Sequence, residues 1–442
     1  MAGTKAGTGR RGQAQLRLAA YIVSNMTLPD DSPSALYDWN TPSMRRRSID
    51  VADSTLCDGP LSPSVIDPGQ REKRQLLSLI SGLGLRSAAL GHPGSGPRQY
   101  ADALDLAREL VRAQWAIDAS CGARAVVKDV ATVLDVRERS GLDLEIAIAL
   151  PVSPIRLEAE GITVDQLHEI AERSIGFAVC AGARVVGVLE DASRTPPDLL
   201  AMLIRHLLAL GAGAVRVSDS VGHATPDGTR ELMRFTVEQV KVRVGRPVRV
   251  EWHGQNDRGL ALANALAAVE AGADRVLASA LGLGERCGTV PMEHLLTNLR
   301  VAGRWPHTLG SLAEYCDSAA VAFGVAIPST HPVLGRDAFR SGTGARATAL
   351  VKALRAGDRA LADNVSSGVP ASVVGAENRI EVSPVSGLSN VRWWLSQHGY
   401  DASDLVLMRE LLLAVKQTQR VATDDELRAM ADALLSLRAV RS

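Results

Sequence analysis

The sequence predicts a closed (β/α)8 barrel followed by a small, mostly helical C-terminal region. Three observations carry this reading. Eight short apolar runs alternate with helix-patterned segments from residue 49 to about 305, the rhythm of repeated βα units. The helical segments end in glycine-rich stops, as in LLALGAG (207–213) and VEAGAD (269–274), where glycine supplies a left-handed cap. The GxGxxG fingerprint of an open dinucleotide-binding sheet is missing after the first strand.

Residues 1–48 read as an N-terminal extension, with NMTLPDDSPS and DWNTPS as turn-rich stretches. The barrel is expected over 49–305. Its candidate strands are SIDVADST (48–55), RSAAL (86–90), RAVVKDV (124–130), LEIAIAL (144–150), RVVGVLE (184–190), AVRVSD (214–219), VRVEWHG (248–254) and RVLASA (275–280). Between them, PPDLLAMLIRHLLALGAG (196–213) and GLALANALAAVEAGAD (259–274) have helical patterning. Beyond 305 the rhythm breaks. IPSTHPVLGRDAFRSGTG (327–344) reads as a loop, and ASDLVLMRELLLAVKQTQR (402–420) and TDDELRAMADALLSLR (423–438) read as helices. Residues 306–442 are therefore expected to form C-terminal subdomains, packed near the barrel mouth or on a partner subunit.

Composition narrows the function. The 442 residues carry 49 basic and 49 acidic side chains, and only 3% are aromatic. A neutral chain lacks the cationic excess that phosphate backbones demand, and few aromatics leave little to stack on bases. No nucleic-acid partner is expected. Cysteines stand at 57, 121, 180, 287 and 316 without a CxxC pair, which suits a reducing, cytoplasmic setting. The basic start, MAGTKAGTGRRGQ, leads into no clear cleavage signal. No apolar run is long enough to cross a bilayer.

In a barrel, polar residues at the C-terminal strand ends converge on one pocket. Asp58 follows strand one; Lys128 and Asp129 close the candidate strand three; Glu190, Asp191 and Arg194 follow strand five. Asp219 and Ser220 end strand six, His253, Gln255, Asn256 and Asp257 end strand seven, and Glu285 and Arg286 follow strand eight. Any one of these could be a solvent cap. Asp58 and His253 could hold a divalent cation, Mg, Mn or Zn, with Gln255 offering a weaker neutral oxygen. Such an ion could polarise a keto acid. Asp58 could instead cap a loop.

Five stretches sharpen this picture: DSTLCDG (53–59), EDASRT (190–195), SDSVGHATP (218–226), WHGQNDRGLALANALAAVEAGAD (252–274) and GLGERCGTVPMEHLL (282–296). In order and spacing they resemble the homocitrate synthase and isopropylmalate synthase family of metal-dependent barrel enzymes, kin of hydroxymethylglutaryl-CoA lyase. PVLGRDAFRSGTGARATAL and VVGAENRIEVSPVSGLSNV resemble its C-terminal subdomains. The remaining length leaves no room for the long regulatory domain of many isopropylmalate synthases. The resemblance implies condensation of acetyl-CoA, or another acyl-CoA, with a 2-oxo acid at a divalent metal, in a homodimer.

Several family positions differ. Asp58 matches the acidic ligand and His253 the first histidine of H-x-H, but Gln255 stands in place of the second and Thr289 in place of the asparagine. Cys57 replaces an arginine expected to steady the reacting oxygen. Pro60 and Leu61 replace a polar pair, and Gly344-Ala345-Arg346 stands where G-I-H is expected. Losing one oxyanion-stabilising group costs about 3–4 kcal/mol. Three readings follow. The site has been rebuilt for a changed acyl-CoA or carbon–carbon reaction, with Lys128, Arg156, Arg346 or His92 replacing lost positive charge. Alternatively Cys57 is a nucleophile for acyl transfer, or metal-free aldolase-like chemistry uses Lys128 as a Schiff base. Or the chain is a non-catalytic ligand- or partner-binding homologue. Cys57 could equally fill space and Lys128 cap its strand. On the first reading Glu190 and Glu285 join the catalytic set, and Ser220, Arg194 and Asn256 join the substrate contacts.

Overall fold

The computed structural model describes residues 49–241 and 247–441. The expected extension over 1–48 lies outside them. Eight parallel strands close into a barrel in sequence order, with β1 pairing both β2 and β8. They are β1 (Asp50–Asp53), β2 (Ser87–Ala89), β3 (Asp118–Arg124), β4 (Glu145–Pro151), β5 (Arg184–Glu190), β6 (Ala214–Asp219), β7 (Arg249–Gly254) and β8 (Arg275–Ala278). The short helix α1 (Thr55–Asp58) leads to α2 (Gln70–Gly82). Then α3 (Pro97–Ala113), α4 (Val127–Ser140), α5 (Pro154–Glu160), α6 (Val164–Cys180) and α7 (Pro197–Ala209) alternate with the strands. The ring ends with α8 (Pro226–Lys241), α9 (Ala261–Ala271) and α10 (Met292–Val301).

Seven expected strands fall on observed ones; the third does not. RAVVKDV begins α4, and the strand is the preceding DASCGAR. Its inward residues are small, so it lacks the branched apolar run that marks a buried strand. Lys128 is thereby moved from a strand end to the exposed first turn of α4.

The barrel interior holds a charged plug and, above it, a layer of small apolar side chains. At the N-terminal end Arg275 reaches Asp50 at 2.6 Å, Asp118 at 3.1 Å and Glu251 at 3.4 Å. Arg249 joins Glu145 at 2.7 Å and Glu251 at 2.6 Å, and Arg216 meets Glu251 at 2.8 Å. Burial opposes the charge on Glu251, yet the three arginines pull its carboxyl down to about 2. Above this plug sit small apolar side chains, Ala147, Val186, Val188 and Ala214. Their size leaves the C-terminal end of the barrel open.

The helix α11 (Leu312–Phe323) packs into the main core through Leu312, Tyr315, Cys316, Ala319 and Phe323. Gly59 permits this contact, because a Cβ there would lie 2.8 Å from the Phe323 ring. A two-stranded parallel pair, β9 (Arg340–Ser341) and β10 (Arg379–Ile380), follows with α12 (Gly344–Arg355) and α13 (Arg359–Asn364). The chain ends in α14 (Leu388–Gln397), α15 (Leu405–Lys416) and α16 (Asp424–Arg441), which share a separate core around Trp394, Leu411 and Leu427. Among the described residues no helix is long and apolar enough to cross a membrane.

Candidate active site

The strand ends surround a cavity of about 300 Å³. Asp53, the last residue of β1, folds STLCDG against it. Its carboxyl accepts hydrogen bonds from the Thr55 backbone at 2.9 Å, from the Thr55 hydroxyl at 3.2 Å and from Tyr315. The backbone of Asp58 closes the turn on Ser54 at 2.7 Å. Cys57 and Asp58 thus line the cavity side by side.

Asp58 Oδ2 lies 3.0 Å from His253 Nε2, across the mouth from β7. Burial resists the charge on Asp58, but His253, Ser54 and His92 together hold its carboxyl below the usual range. On the other side Cys57 Sγ lies 3.1 Å from His92 Nε2. Burial, then the Asp58 carboxylate, pushes the Cys57 thiol well above its ordinary value. Burial also lowers His92. The two therefore meet as neutral thiol and neutral imidazole rather than as an ion pair. The His92 ring lies close against Gly122, where a Cβ would come within 2.3 Å of it.

Glu190, at the end of β5, is pushed up by burial, opposed by Arg156 at 3.6 Å. Glu285 and Arg286 form the rim, 3.2 Å apart. Ser220 lines the cavity too, and its hydroxyl accepts from the Asp191 backbone at 2.9 Å. Of the strand-end residues, Asp58, Glu190, Ser220, His253, Gln255 and Glu285 line the one cavity, and Cys57, His92 and Arg156 line it with them.

Four candidates do not. Lys128 stands on α4 and does not line the cavity, so the expected strand-end lysine is corrected to a surface residue. Arg194 is committed to Asp191 at 2.6 Å, and the Asn256 side chain caps the Ala261 backbone at 3.2 Å. Arg346 is exposed on α12. Asp219 likewise accepts from His223, Ala224 and Ser193. These motif residues hold loops beside the cavity.

Sequence reasoning missed Arg216. It enters from the middle of β6, is nearly buried, and lines the cavity while paired with Glu251. The visible sign was a lone arginine inside AVRVSD, a position facing the same way as Ala214 and Ser218. Arg124 also lines the cavity. Among the buried atoms of the described residues that have no hydrogen-bond partner, two, Ser218 Oγ and Gln255 Oε1, belong to residues that line the cavity.

The donor set fits a divalent cation. Asp58 and His253 supply a carboxylate and an imidazole, and the orphaned Gln255 oxygen is an acceptor without a donor. Ligand atoms of Cys57, Asp58 and His92 also lie within 4.8 Å of one another. Asp58 belongs to both sets.

The family model described as HMGL-like matches residues 48–319. A 2-isopropylmalate synthase of Sediminispirochaeta smaragdinae is 31% identical over 300 residues, covering 66% of this chain and 58% of its own length. A homocitrate synthase of Saccharolobus solfataricus is 30% identical over 293 residues, of which the chain spans 61% of the length. The chain thus spans about three-fifths of these two relatives. An HMG-CoA lyase structure from Bacillus subtilis shares the fold, with a TM-score of 0.53 at 18% identity over 64% of this chain and 96% of that one. With the matched region spanning the whole barrel and its cavity, the chain belongs to the HMGL-like family, in the superfamily of acyl-CoA-condensing enzymes that includes isopropylmalate and homocitrate synthases and HMG-CoA lyase.

Proposed function

We propose that this protein condenses an acyl-CoA, acetyl-CoA in the simplest case, with a 2-oxo acid. The supporting observation is one cavity lined by four arginines (Arg124, Arg156, Arg216 and Arg286), each already beside a carboxylate of the protein, by the part-buried Asp58–His253 pair and by two residues with unpartnered polar atoms. Arginines recognise carboxylates through paired donors, and unpaired buried acceptors and hydroxyls favour a polar ligand.

A divalent ion held by Asp58, His253 and Gln255 would supply Lewis-acid polarisation of the keto group. The protein's own groups do the rest. Arg216 brings a guanidinium into the cavity that lost its arginine at Cys57, and stabilises the developing oxyanion. Ser218 and Ser220 bind the oxo-acid carboxylate. Glu190, made more basic by burial, takes a proton from the acyl carbon next to the thioester. That carbon bonds to the keto carbon, and the proton returns to the resulting alkoxide. Water then cleaves the thioester to a carboxylate, free CoA thiol and a proton.

A second reading, acyl transfer through Cys57, draws on its 3.1 Å contact with His92. The elevated thiol works against it. One assay separates the readings: thiol release from acetyl-CoA with pyruvate, 2-oxoglutarate or 2-oxoisovalerate, in Mg, Mn or Zn. Oxo-acid-dependent release is expected, falling at least about 100-fold in Asp58→Asn and His253→Ala and surviving in Cys57→Ser. Loss in Cys57→Ser with activity kept in Asp58→Asn transfers the chemistry to the cysteine. Absence of both turnover and oxo-acid binding across the panel favours a non-catalytic homologue.

A further inference from the structure

A second cluster of ligating groups lies outside the cavity, where the C-terminal segment crosses the barrel rim. Glu293 and His294 open α10, and His331 comes from the loop after α11. One ligand atom from each lies within 4.8 Å of the other two, and none of the three lines the cavity.

Glu293 is fully buried. A buried carboxylate without partners is costly. Its Oε2 accepts from the Leu281 backbone at 2.9 Å, with Cys316 Sγ 3.8 Å away. Its Oε1 has no hydrogen-bond partner among the described residues. His331 Nε2 stands 3.3 Å from that oxygen, an ion-pair contact when the ring is protonated, and His294 Nε2 stands 3.9 Å away. His294 Nε2 is itself buried and unpartnered.

The tautomer of His331 is decided by its other nitrogen. Nδ1 lies 2.7 Å from the Pro332 carbonyl, which can only accept. Nδ1 therefore donates, and Nε2 faces Glu293, whose carboxylate favours a proton there and raises His331; a metal ion would take that proton's place. A backbone carbonyl fixing one nitrogen while the other is free is the arrangement that supports a metal-bound histidine.

We propose that Glu293, His294 and His331 form a site for a divalent first-row transition metal of the zinc type, separate from the cavity. Two imidazoles and one carboxylate suit zinc, whereas magnesium favours an all-oxygen shell. The ion neutralises the buried carboxylate and ties the C-terminal loop to α10. It also fixes the group that holds Leu281, a non-glycine residue with left-handed backbone (φ 56°) at the head of the loop carrying Glu285 and Arg286.

The test uses the full chain carrying Cys57→Ala, Asp58→Ala, His92→Ala and His253→Ala, so that the cavity's thiol, carboxylate and imidazole donors are removed. After chelation it is titrated calorimetrically with zinc, and with cobalt for its visible absorption. One equivalent is expected, with cobalt bands of nitrogen and oxygen ligation and a rise in melting temperature. Adding His331→Gln, or separately His294→Gln, should remove that equivalent while circular dichroism stays unchanged. An unchanged stoichiometry in both histidine variants overturns the proposal, as does the absence of any bound equivalent in the cavity-silenced chain. Neither outcome depends on acyl-CoA chemistry.

Discussion

A carboxyl group buried away from cations avoids charge by keeping its proton, and Asp53 is such a group. It is fully enclosed between Thr55 and Tyr315. Burial pushes it up to about 6 from 3.8, against the hydrogen bonds from Tyr315 and Thr55. Between those two values the folded chain keeps a proton that the unfolded chain has released. Stability contributed by this group is therefore full below about pH 4, declines as pH rises to about 6, and is flat above. The displacement corresponds to about 3 kcal/mol. Asp53→Asn cannot ionise, so its stability relative to the parent should improve by about that amount between pH 4 and pH 7. Urea unfolding at both values measures it, and a pH-independent difference would show that Asp53 titrates normally in the fold. The sequence exposed Asp53 only as a letter of a motif. Its work in shaping the Cys57–Asp58 turn depends on Tyr315, 262 residues away, and no local pattern announces such a partner.

At the scale of elements, the misread third strand shows what periodicity can and cannot reveal. Seven strands were legible because apolar residues dominate them. DASCGAR was not, because its inward face is kept small by what packs there: Gly122 lies against the His92 ring. The following Val126-Val127 pair looks like a strand, yet Val126 caps α4 and Val127 starts it. In the sequence, His92 and Arg156 stand out only as spare positive charge, and Arg216 is hidden inside a strand. Two substitutions test the corrected placement. Gly122→Ala puts a methyl group 2.3 Å from His92, so the ring must move. It should reduce oxo-acid-dependent thiol release about 100-fold, the cost of a roughly 1 Å misplacement, with circular dichroism unchanged. Lys128→Ala removes a side chain already in solvent, and stability should change by less than about 0.5 kcal/mol with the release rate unaltered. An inactive Lys128→Ala protein would return the lysine to the active site.

Among the described residues, cohesion is carried mainly by two large cores, with two small clusters beside them. The barrel core extends through α11, so the family's barrel and the first helix beyond residue 305 fold as one body. The terminal helices α14, α15 and α16 bury Val391, Trp394, Leu411, Val415 and Leu427 among themselves, in a cluster that includes no barrel strand. The expectation of a distinct helical C-terminal region came from two long apolar-patterned runs, and their mutual packing follows from the matching stripes. Leu411 is fully buried at the centre of that cluster. Truncating it to alanine leaves a cavity that costs about 2–5 kcal/mol, and the cost should fall on the local unfolding of this unit. Hydrogen exchange of Leu411→Ala should quicken in 388–441 while amides of β4, β5 and β6 keep the parent's protection. Equal acceleration in the barrel strands would mean that the two cores unfold as one cooperative body, and that the terminal helices stabilise the catalytic end directly. Confinement to the terminal helices would instead leave the linker around His331, rather than those helices, as the part of the C-terminal region that bears on the barrel rim.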